Sequence, residues 1–389
     1  MNEPSRTLVI IMYSDLLLHG GGRESWLAAF LKSEKLRGSY STIRVFHFTA
    51  GADGPTIDAT VHFPTVSYHA VDLSRPERTA RKLIKFFRFC MSRYGALVSG
   101  PADIVAVGSF YETIAAKLVD WRYPWREKTI VSWFRSIWDK QIAHFHTPRE
   151  VRLISRIESF FLRRTDIRLA NGPDTARYYR EVKGIDSVNV PNGIDLTRFP
   201  QNSAVLAGDR VTVLFVGRLS IEKGLRSFLQ AIRILNERGA ADRFRFVIAG
   251  DGPLEEEVQE LVRSGLIDHR GAIDNRSMPA LYAEADVAVQ LTYSKTIGGG
   301  GISHSLLEAM ASGLLNVCWD STIYRQVLDD GSGVFVEEAQ DDQLARALLM
   351  IADDRTAARS RADKGRHVST RYDFSVNVDT YLQTVIHQK

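Results

Sequence analysis

Hydrophobic positions fall into short unbroken runs, separated by stretches with helical spacing. In the first half the runs occupy residues 7–13, 42–48, 65–71, 103–108, 129–134, 166–171 and 187–192. In the second half they occupy residues 211–217, 244–250, 286–292, 314–320 and 333–337. Runs such as TLVIIMY and VTVLFVG do not alternate between apolar and polar positions, so they predict parallel strands buried on both faces. Helical patterns, for example at 25–35, 76–94, 111–120 and 148–163, fill most of the gaps. Strand and helix in alternation define an α/β chain built of βαβ units. Residues 191–210 contain two prolines and two glycines and follow no hydrophobic period, which marks a linker between two halves of doubly wound sheet. Open sheets of this kind bind ligands at the carboxyl ends of their strands, so the loops after strands are where chemistry is sought.

Composition narrows the picture. Of 389 residues, 44% are hydrophobic and 25% charged, which excludes a disordered or collagen-like chain. Two cysteines, Cys90 and Cys318, build neither a disulfide framework nor a four-thiolate zinc site. No apolar run approaches the roughly 18 residues of a membrane span. The first residues carry Glu3 and Asp15 and no small-residue cleavage site, unlike a secretory leader, so a cytoplasmic location is expected. The net charge of +4 is small, but its distribution is uneven: residues 75–95 hold seven basic side chains and one acid, Glu77. Lys82, Lys85 and Arg88 flank Leu83, Ile84, Phe86, Phe87 and Phe89. Two readings stand: a helix lying on an anionic membrane surface, peripheral at the inner face of the plasma membrane, or a core-packed helix whose basic stems cover its edges. WRYPWREK, residues 121–128, either extends that surface or lines an acceptor pocket. No helix-turn-helix, zinc or RNA-binding signature accompanies the charge, so nucleic acid is not an expected partner.

Three glycine-bearing loops carry candidate chemistry. Gly20, Gly21 and Gly22 follow the first strand and precede a helix, as a phosphate or sugar cradle does and as a plain tight turn also does. In FVGRLSIEKGL, residues 215–225, Gly217 ends a buried strand. Arg218 then stands at the strand's carboxyl end, and Lys223 at the start of a helix over 223–237, two cations suited to a diphosphate. In residues 294–313, four glycines ending at Gly300 and Gly301 precede Ile302 and a helix over 303–311, which Ser303 or Ser305 is placed to cap. Glu308 on that helix is either an acceptor for vicinal hydroxyls or a solvent-facing glutamate. There is no GxxxxGK[ST], HExxH, GxSxG or CxxC, and no Asp-x-Asp. His144 and His146 form no metal spacing. No metal and no cofactor are expected.

VPNGIDLTRF, LFVGRLSIEKGL, FVIAGDGP, MPALYAEADVAV and SLLEAMASG, in this order, resemble the family 4 retaining glycosyltransferases of the GT-B fold. The resemblance is concentrated in residues 190–336, and RYDFS near Tyr372 fits the family's closing helix. It implies two Rossmann-like domains facing each other across a cleft. Residues 1–195 would bind the acceptor and 205–372 the nucleotide-sugar donor, with a last helix in 373–389 crossing back to the first domain. It further implies that Arg218 and Lys223 neutralise the donor diphosphate and that Glu308 holds the ribose. The amides around Gly300, Gly301 and Ile302 would contact the transferred sugar, and Gly21 and Gly22 would approach from the first domain. The implied activity is sugar transfer to a lipid-linked or saccharide acceptor in cell-surface polysaccharide or lipopolysaccharide assembly. Two positions depart from the family: Gly300 stands where a glutamate is common, and Trp133 or Phe134 where a histidine is common. They keep open a second reading, a degenerate sugar- or nucleotide-binding partner of an active enzyme. A sugar-nucleotide epimerase of the same fold is a third.

Overall fold

The computed structural model describes residues 6–16, 22–49, 63–143, 145–201, 205–293 and 301–386. The chain divides into two compact units, one of Met1–Asn192, Gly298–Gly301 and Phe374–Lys389, the other of Gly193–Ile297 and Ile302–Asp373.

The first unit holds strands β1 (Thr7–Asp15), β2 (Thr42–Thr49), β3 (Val66–Asp72), β4 (Ala102–Val107), β5 (Lys128–Phe134), β6 (Ile167–Ala170) and β7 (Val188–Asn189). They form one sheet in the order β3-β2-β1-β4-β5-β6-β7, every pair parallel. Ile10 of β1 lies between Val45 and Val105. All six residues of β4 are buried, as a strand covered on both faces requires. On one face Trp26, Phe30, Trp133 and Tyr381 interlock, with Trp26 stacked on Phe30 at 4.9 Å and Trp133 on Tyr381 at 5.5 Å. Tyr381 comes from the helix Phe374–Val385, which also buries Phe374, Val378, Leu382 and Val385 in this core. On the other face the helix Thr79–Leu97 packs Phe86, Cys90 and Tyr94 against Val9, Ile11 and Ile104.

The second unit holds β8 (Val211–Val216), β9 (Phe244–Ala249), β10 (Ile267–His269), β11 (Val287–Gln290), β12 (Leu315–Trp319) and β13 (Val334–Val336), in the order β10-β9-β8-β11-β12-β13 and all parallel. Val213 of β8 sits between Phe246 and Val287. In both sheets the order reverses beside the first strand, at β1/β4 and at β8/β11. Loops on either side of such a reversal leave a crevice at the carboxyl ends.

The predicted strands are present within a residue or two of their expected ends, except β7, which stops at Asn189, three residues short of the expected 192. Strand β10 is an addition: three residues, two of them Asp268 and His269, leave no apolar run to read. Between Gly193 and Leu206, the described part of the stretch expected as a linker packs on the second unit. Ile194 pairs in parallel with Asp373, and Ile194, Phe199, Val205 and Leu206 are buried in the second core. Four apolar side chains without periodicity still find a common surface.

Candidate active site

The loop after β8 is held by close backbone packing. Gly217 N–H donates to Ala249 O at 3.0 Å, Leu219 N–H to Asp251 O at 2.7 Å, and Leu254 N–H returns to Leu219 O at 3.0 Å. Gly250, at φ +139°, lies so close that a Cβ there would stand 1.9 Å from Gly217 O. Gly224, at φ +70°, leaves a similarly small margin beneath Leu291 O, and Tyr293 N–H donates to Glu222 O. The loop carrying Arg218 and Lys223 is thereby pinned to the loops after β9 and β11, at the sheet's reversal point.

Arg218 is exposed at this edge. Lys223 ends the 3-10 turn Ile221–Lys223, and Gly224 separates it from the helix Leu225–Glu237. Lys223 therefore precedes the helix rather than opening it. The reason is Gly224, whose left-handed conformation breaks the helical run. Lys223 is half-buried, and burial pulls its ammonium below the usual lysine range against the opposing charge of Glu222.

Glu308 lies on the helix His304–Ala311 and is half-buried rather than fully solvent-facing. Burial pushes its carboxyl up to about 7, while the Tyr282 hydroxyl, donating to Oε2 at 3.0 Å, and the charge of Arg198 act in the opposite direction. Arg198 is held by Asn275 O at 2.7 Å. Ser303 occupies the N-cap position without capping. Its hydroxyl is paired with Ser305 Oγ at 2.8 Å, and Ser305 donates to Gln290 at 3.0 Å. The first amides of this helix thus have no side-chain cap from Ser303. Ile302 is buried in the second core. Gly301, at φ +92°, donates its N–H to Asp174 Oδ1 at 3.0 Å. That amide already has an acceptor in this conformation. Gly21 and Gly300 lie outside the described residues, and so does His144.

In the first unit Gly22 opens the helix Gly22–Lys32. Next to it, Arg23 donates to Glu112 Oε1 at 3.2 Å and to Tyr13 O at 3.4 Å, and Tyr13 N–H donates to the same carboxylate at 3.1 Å. Glu112 is buried beneath Gly108, where a Cβ would meet its Oε2 at 2.2 Å. Burial raises the pKa of this carboxyl, and Arg23 opposes the rise. Sequence reasoning missed this arrangement. Its one visible trace is a glycine ending a strand four residues before an acid. Around it, Tyr13 packs on Phe86 at 5.0 Å and Tyr111 at 5.2 Å, and Phe110 stacks on Trp138 at 5.7 Å. This aromatic floor lies at the carboxyl ends of β1, β4 and β5.

The segment 121–128 does not line that floor. It ends where β5 begins, at the opposite end of the sheet, and Arg126 donates to Gly95 O while the Tyr123 hydroxyl donates to Met91 O. The phenylalanines of the basic helix are likewise not a free face. Phe86 is buried and Phe87 and Phe89 pack against the core, leaving Ile84 as the exposed apolar side chain. Lys82 is half-buried, Lys85 pairs with Glu77 at 2.5 Å, and Arg88 is exposed. Trp133 and Phe134, at the expected histidine position, are both in cores: Trp133 stacks on Tyr381, and Phe134 on Tyr179 at 4.2 Å. His146 is exposed, 3.8 Å from Glu150.

Two all-parallel Rossmann-like sheets with this strand order define the GT-B class of α/β protein. Residues 199–368 match the family described as Glycosyl transferases group 1. Among curated proteins, the chain is similar to the phosphatidyl-myo-inositol mannosyltransferase of Mycobacterium leprae (strain TN). The two are 29% identical over 246 residues, covering 60% of this chain and 64% of that protein, so the match spans less than two thirds of the relative's length. Among solved structures, sucrose-phosphate synthase from Thermosynechococcus elongatus superposes with a TM-score of 0.77 at 16% identity, covering 97% of this chain and 98% of that one. Anabaena HepE in complex with UDP and glucose superposes at 0.72 with 15% identity, over 97% and 99%. These two likenesses speak to the fold. No helix among the described residues is long and apolar enough to cross a membrane.

Proposed function

We propose that this chain is a retaining glycosyltransferase that moves a sugar from a nucleotide-diphosphate donor to a lipid-linked or saccharide acceptor in cell-surface polysaccharide or lipopolysaccharide assembly. The observation that carries the reading is the glycine-locked loop after β8, which holds Arg218 and Lys223 at the sheet's reversal point. As the bond from the anomeric carbon to the diphosphate breaks, negative charge grows on the leaving phosphate. Fixed cations that need no rearrangement stabilise it most where water is scarce. The half-buried Lys223 has that environment. Glu308, oriented by Tyr282, accepts from the ribose hydroxyls. The leaving phosphate takes the acceptor's proton, so the reaction asks for no paired carboxylates. Nor, in this reading, does it use a metal ion.

The relatives support the two ends of the reading. The mycobacterial protein's name couples a mannosyl group to a phosphatidyl lipid, and the HepE structure holds UDP and glucose. Location at the cytoplasmic side, where nucleotide sugars are made, belongs to the same proposal. The test is turnover of labelled nucleotide sugar by Arg218→Ala and Lys223→Ala. Each is expected to lose on the order of 10²-fold, as the removal of one electrostatic stabiliser does. Near-native rates in both variants would refute the assignment.

A second reading has its own observation. The positions of the missing histidine are filled by Trp133 and Phe134, locked in stacks. A degenerate chain of this kind binds nucleotide without turning it over. Transfer or hydrolysis of labelled donor by the purified native protein eliminates it.

A further inference from the structure

The helix Pro148–Leu162 is apolar on two faces. Its inward face buries Leu162 in the core together with one ionisable group, Glu158. Glu158 is buried, accepts from the Tyr179 hydroxyl at 2.8 Å and is paired with Lys183. Lys183 also reaches Asp139 Oδ1 at 2.9 Å, and Ser155 donates to Asp139 Oδ2 at 2.9 Å. The outward face carries a second set of apolar side chains. Leu153, Ile157 and Phe160, at i, i+4 and i+7, are 59%, 38% and 45% exposed, and Phe145, just before the helix, is 85% exposed. A helix stabilised only by its own unit places its apolar stripe toward the core and its charges toward water.

The rim of the stripe is basic. At 3.6 residues per turn, Arg149, Arg152 and Arg156 fall along one edge of the line through Leu153, Ile157 and Phe160. Arg164 lies over the Phe160 ring at 3.5 Å. Glu150 is the one exposed acid of the helix, and it is engaged in the capping box with Thr147. Apolar side chains beside a row of arginines match the boundary between acyl chains and anionic headgroups. A second copy of the chain fits less well, because its arginines would face these arginines across the contact.

We propose that this face, and not the helix Thr79–Leu97, docks the protein on an anionic lipid bilayer. Leu153, Ile157, Phe160 and Phe145 enter the headgroup boundary, and Arg149, Arg152 and Arg156 pair with lipid phosphates. The inward network joins the docking helix to Asp139 on the helix Trp138–Ile142, next to the aromatic floor, so an acceptor held in the same bilayer would lie close to it.

Vesicle flotation of the full chain tests this without donor or acceptor, so failure of the transferase reading leaves the result intact. The probes are vesicles of phosphatidylcholine alone and of phosphatidylcholine mixed with phosphatidylglycerol. The native protein is expected to float with the mixed vesicles and at least about tenfold less with the neutral ones. The variant Leu153→Ser/Ile157→Ser/Phe160→Ser is expected to lose about tenfold or more on mixed vesicles, with an unchanged melting temperature. In Arg149→Ala/Arg152→Ala/Arg156→Ala, the residual binding no longer depends on phosphatidylglycerol. Lys82→Ala/Lys85→Ala/Arg88→Ala binds as the native protein does. The proposal is overturned if native protein does not float with mixed vesicles, or if the serine variant floats as well as native. It is equally overturned if native protein is a dimer that the serine variant separates, which would make the stripe an interface between copies.

Discussion

Lys223 and Glu308 are both held away from their ordinary proton affinities by burial, and the two shifts have opposite consequences. The ammonium of Lys223 is easier to deprotonate than a free lysine's, and a diphosphate beside it would restore the proton. Nucleoside diphosphate binding is therefore expected to take up a proton on the alkaline side. Affinity should fall as pH rises through the lowered lysine pKa. Calorimetric titration in two buffers of different ionisation heat measures the uptake, and Lys223→Met should abolish it. Equal heats in both buffers for the native protein would contradict the assignment. Glu308 shifts the other way, from 4.5 up to about 7. Folding then favours the protonated acid. Its cost is absent below 4.5, grows as pH rises, and is complete above about 7. Glu308→Gln removes that cost, so the variant should be more stable by roughly 3 kcal/mol on the alkaline side and no more stable below 4.5. Thermal melts across that range decide it. Arg218 and Lys223 were legible because a buried strand that ends in glycine sets its next residues at the carboxyl edge of the sheet. The partnership of Glu308 with Tyr282 was not, because 26 residues separate them and only the packed helix brings them together.

The strands were legible for a physical reason: a parallel strand covered on both faces leaves an apolar run in the sequence, as in β4 and β12. What joins elements left less trace. Gly250 is a single residue after β9, yet it sets the position of the loop after β8, since a Cβ would fall 1.9 Å from Gly217 O. Gly250→Ala is expected to cost roughly 2–4 kcal/mol, from a forbidden backbone conformation and a displaced loop. It should weaken nucleotide binding although residue 250 contributes no side chain. Native affinity in a destabilised Gly250→Ala protein would show that the loop's position does not matter. The buried group Glu158, Lys183 and Asp139 was also invisible, because a lysine and a glutamate 25 residues apart read as surface charges. Lys183→Met leaves Glu158 buried without its cation and should destabilise the first unit by about 3–5 kcal/mol. Burial already raises the pKa of Glu158, so replacing it too is expected to relieve the strain on this group. The double variant Glu158→Gln/Lys183→Met should recover most of the loss in chemical denaturation. No recovery would mean that the helices, rather than the charges, need these two side chains.

Which unit a segment belongs to is settled by packing rather than by order along the chain, and the last helix shows how far the two diverge. Phe374–Val385 comes after the second unit in sequence but contributes to the first unit's core, where Tyr381 stacks on Trp133 and meets Phe30 edge-on at 5.0 Å. Its hydroxyl meets Tyr40 at 3.2 Å, and Tyr40 donates to Asp103, which pairs with Arg6 at 2.9 Å. The sequence pattern alone places a helix here without saying what it covers. Only the family resemblance pointed back to the first domain. Removing Phe374, Val378, Tyr381, Leu382 and Val385 from their core would forfeit roughly 8–15 kcal/mol at ordinary values for burying such side chains. That matches or exceeds the stability of a typical domain, about 5–15 kcal/mol. A chain ending at Asp373 is therefore expected to lose hydrogen-exchange protection throughout β1–β7 while β8–β13 stay protected. In that shortened chain, nucleoside diphosphate at about 100 times its dissociation constant should still stabilise the folded remainder by roughly 2.7 kcal/mol. This holds because Arg218, Lys223 and Glu308 all belong to the second unit. Protection of β1–β7 without the helix would mean that the first sheet's other face suffices to hold it. Loss of the nucleotide's effect would mean that the diphosphate needs groups from the first unit as well.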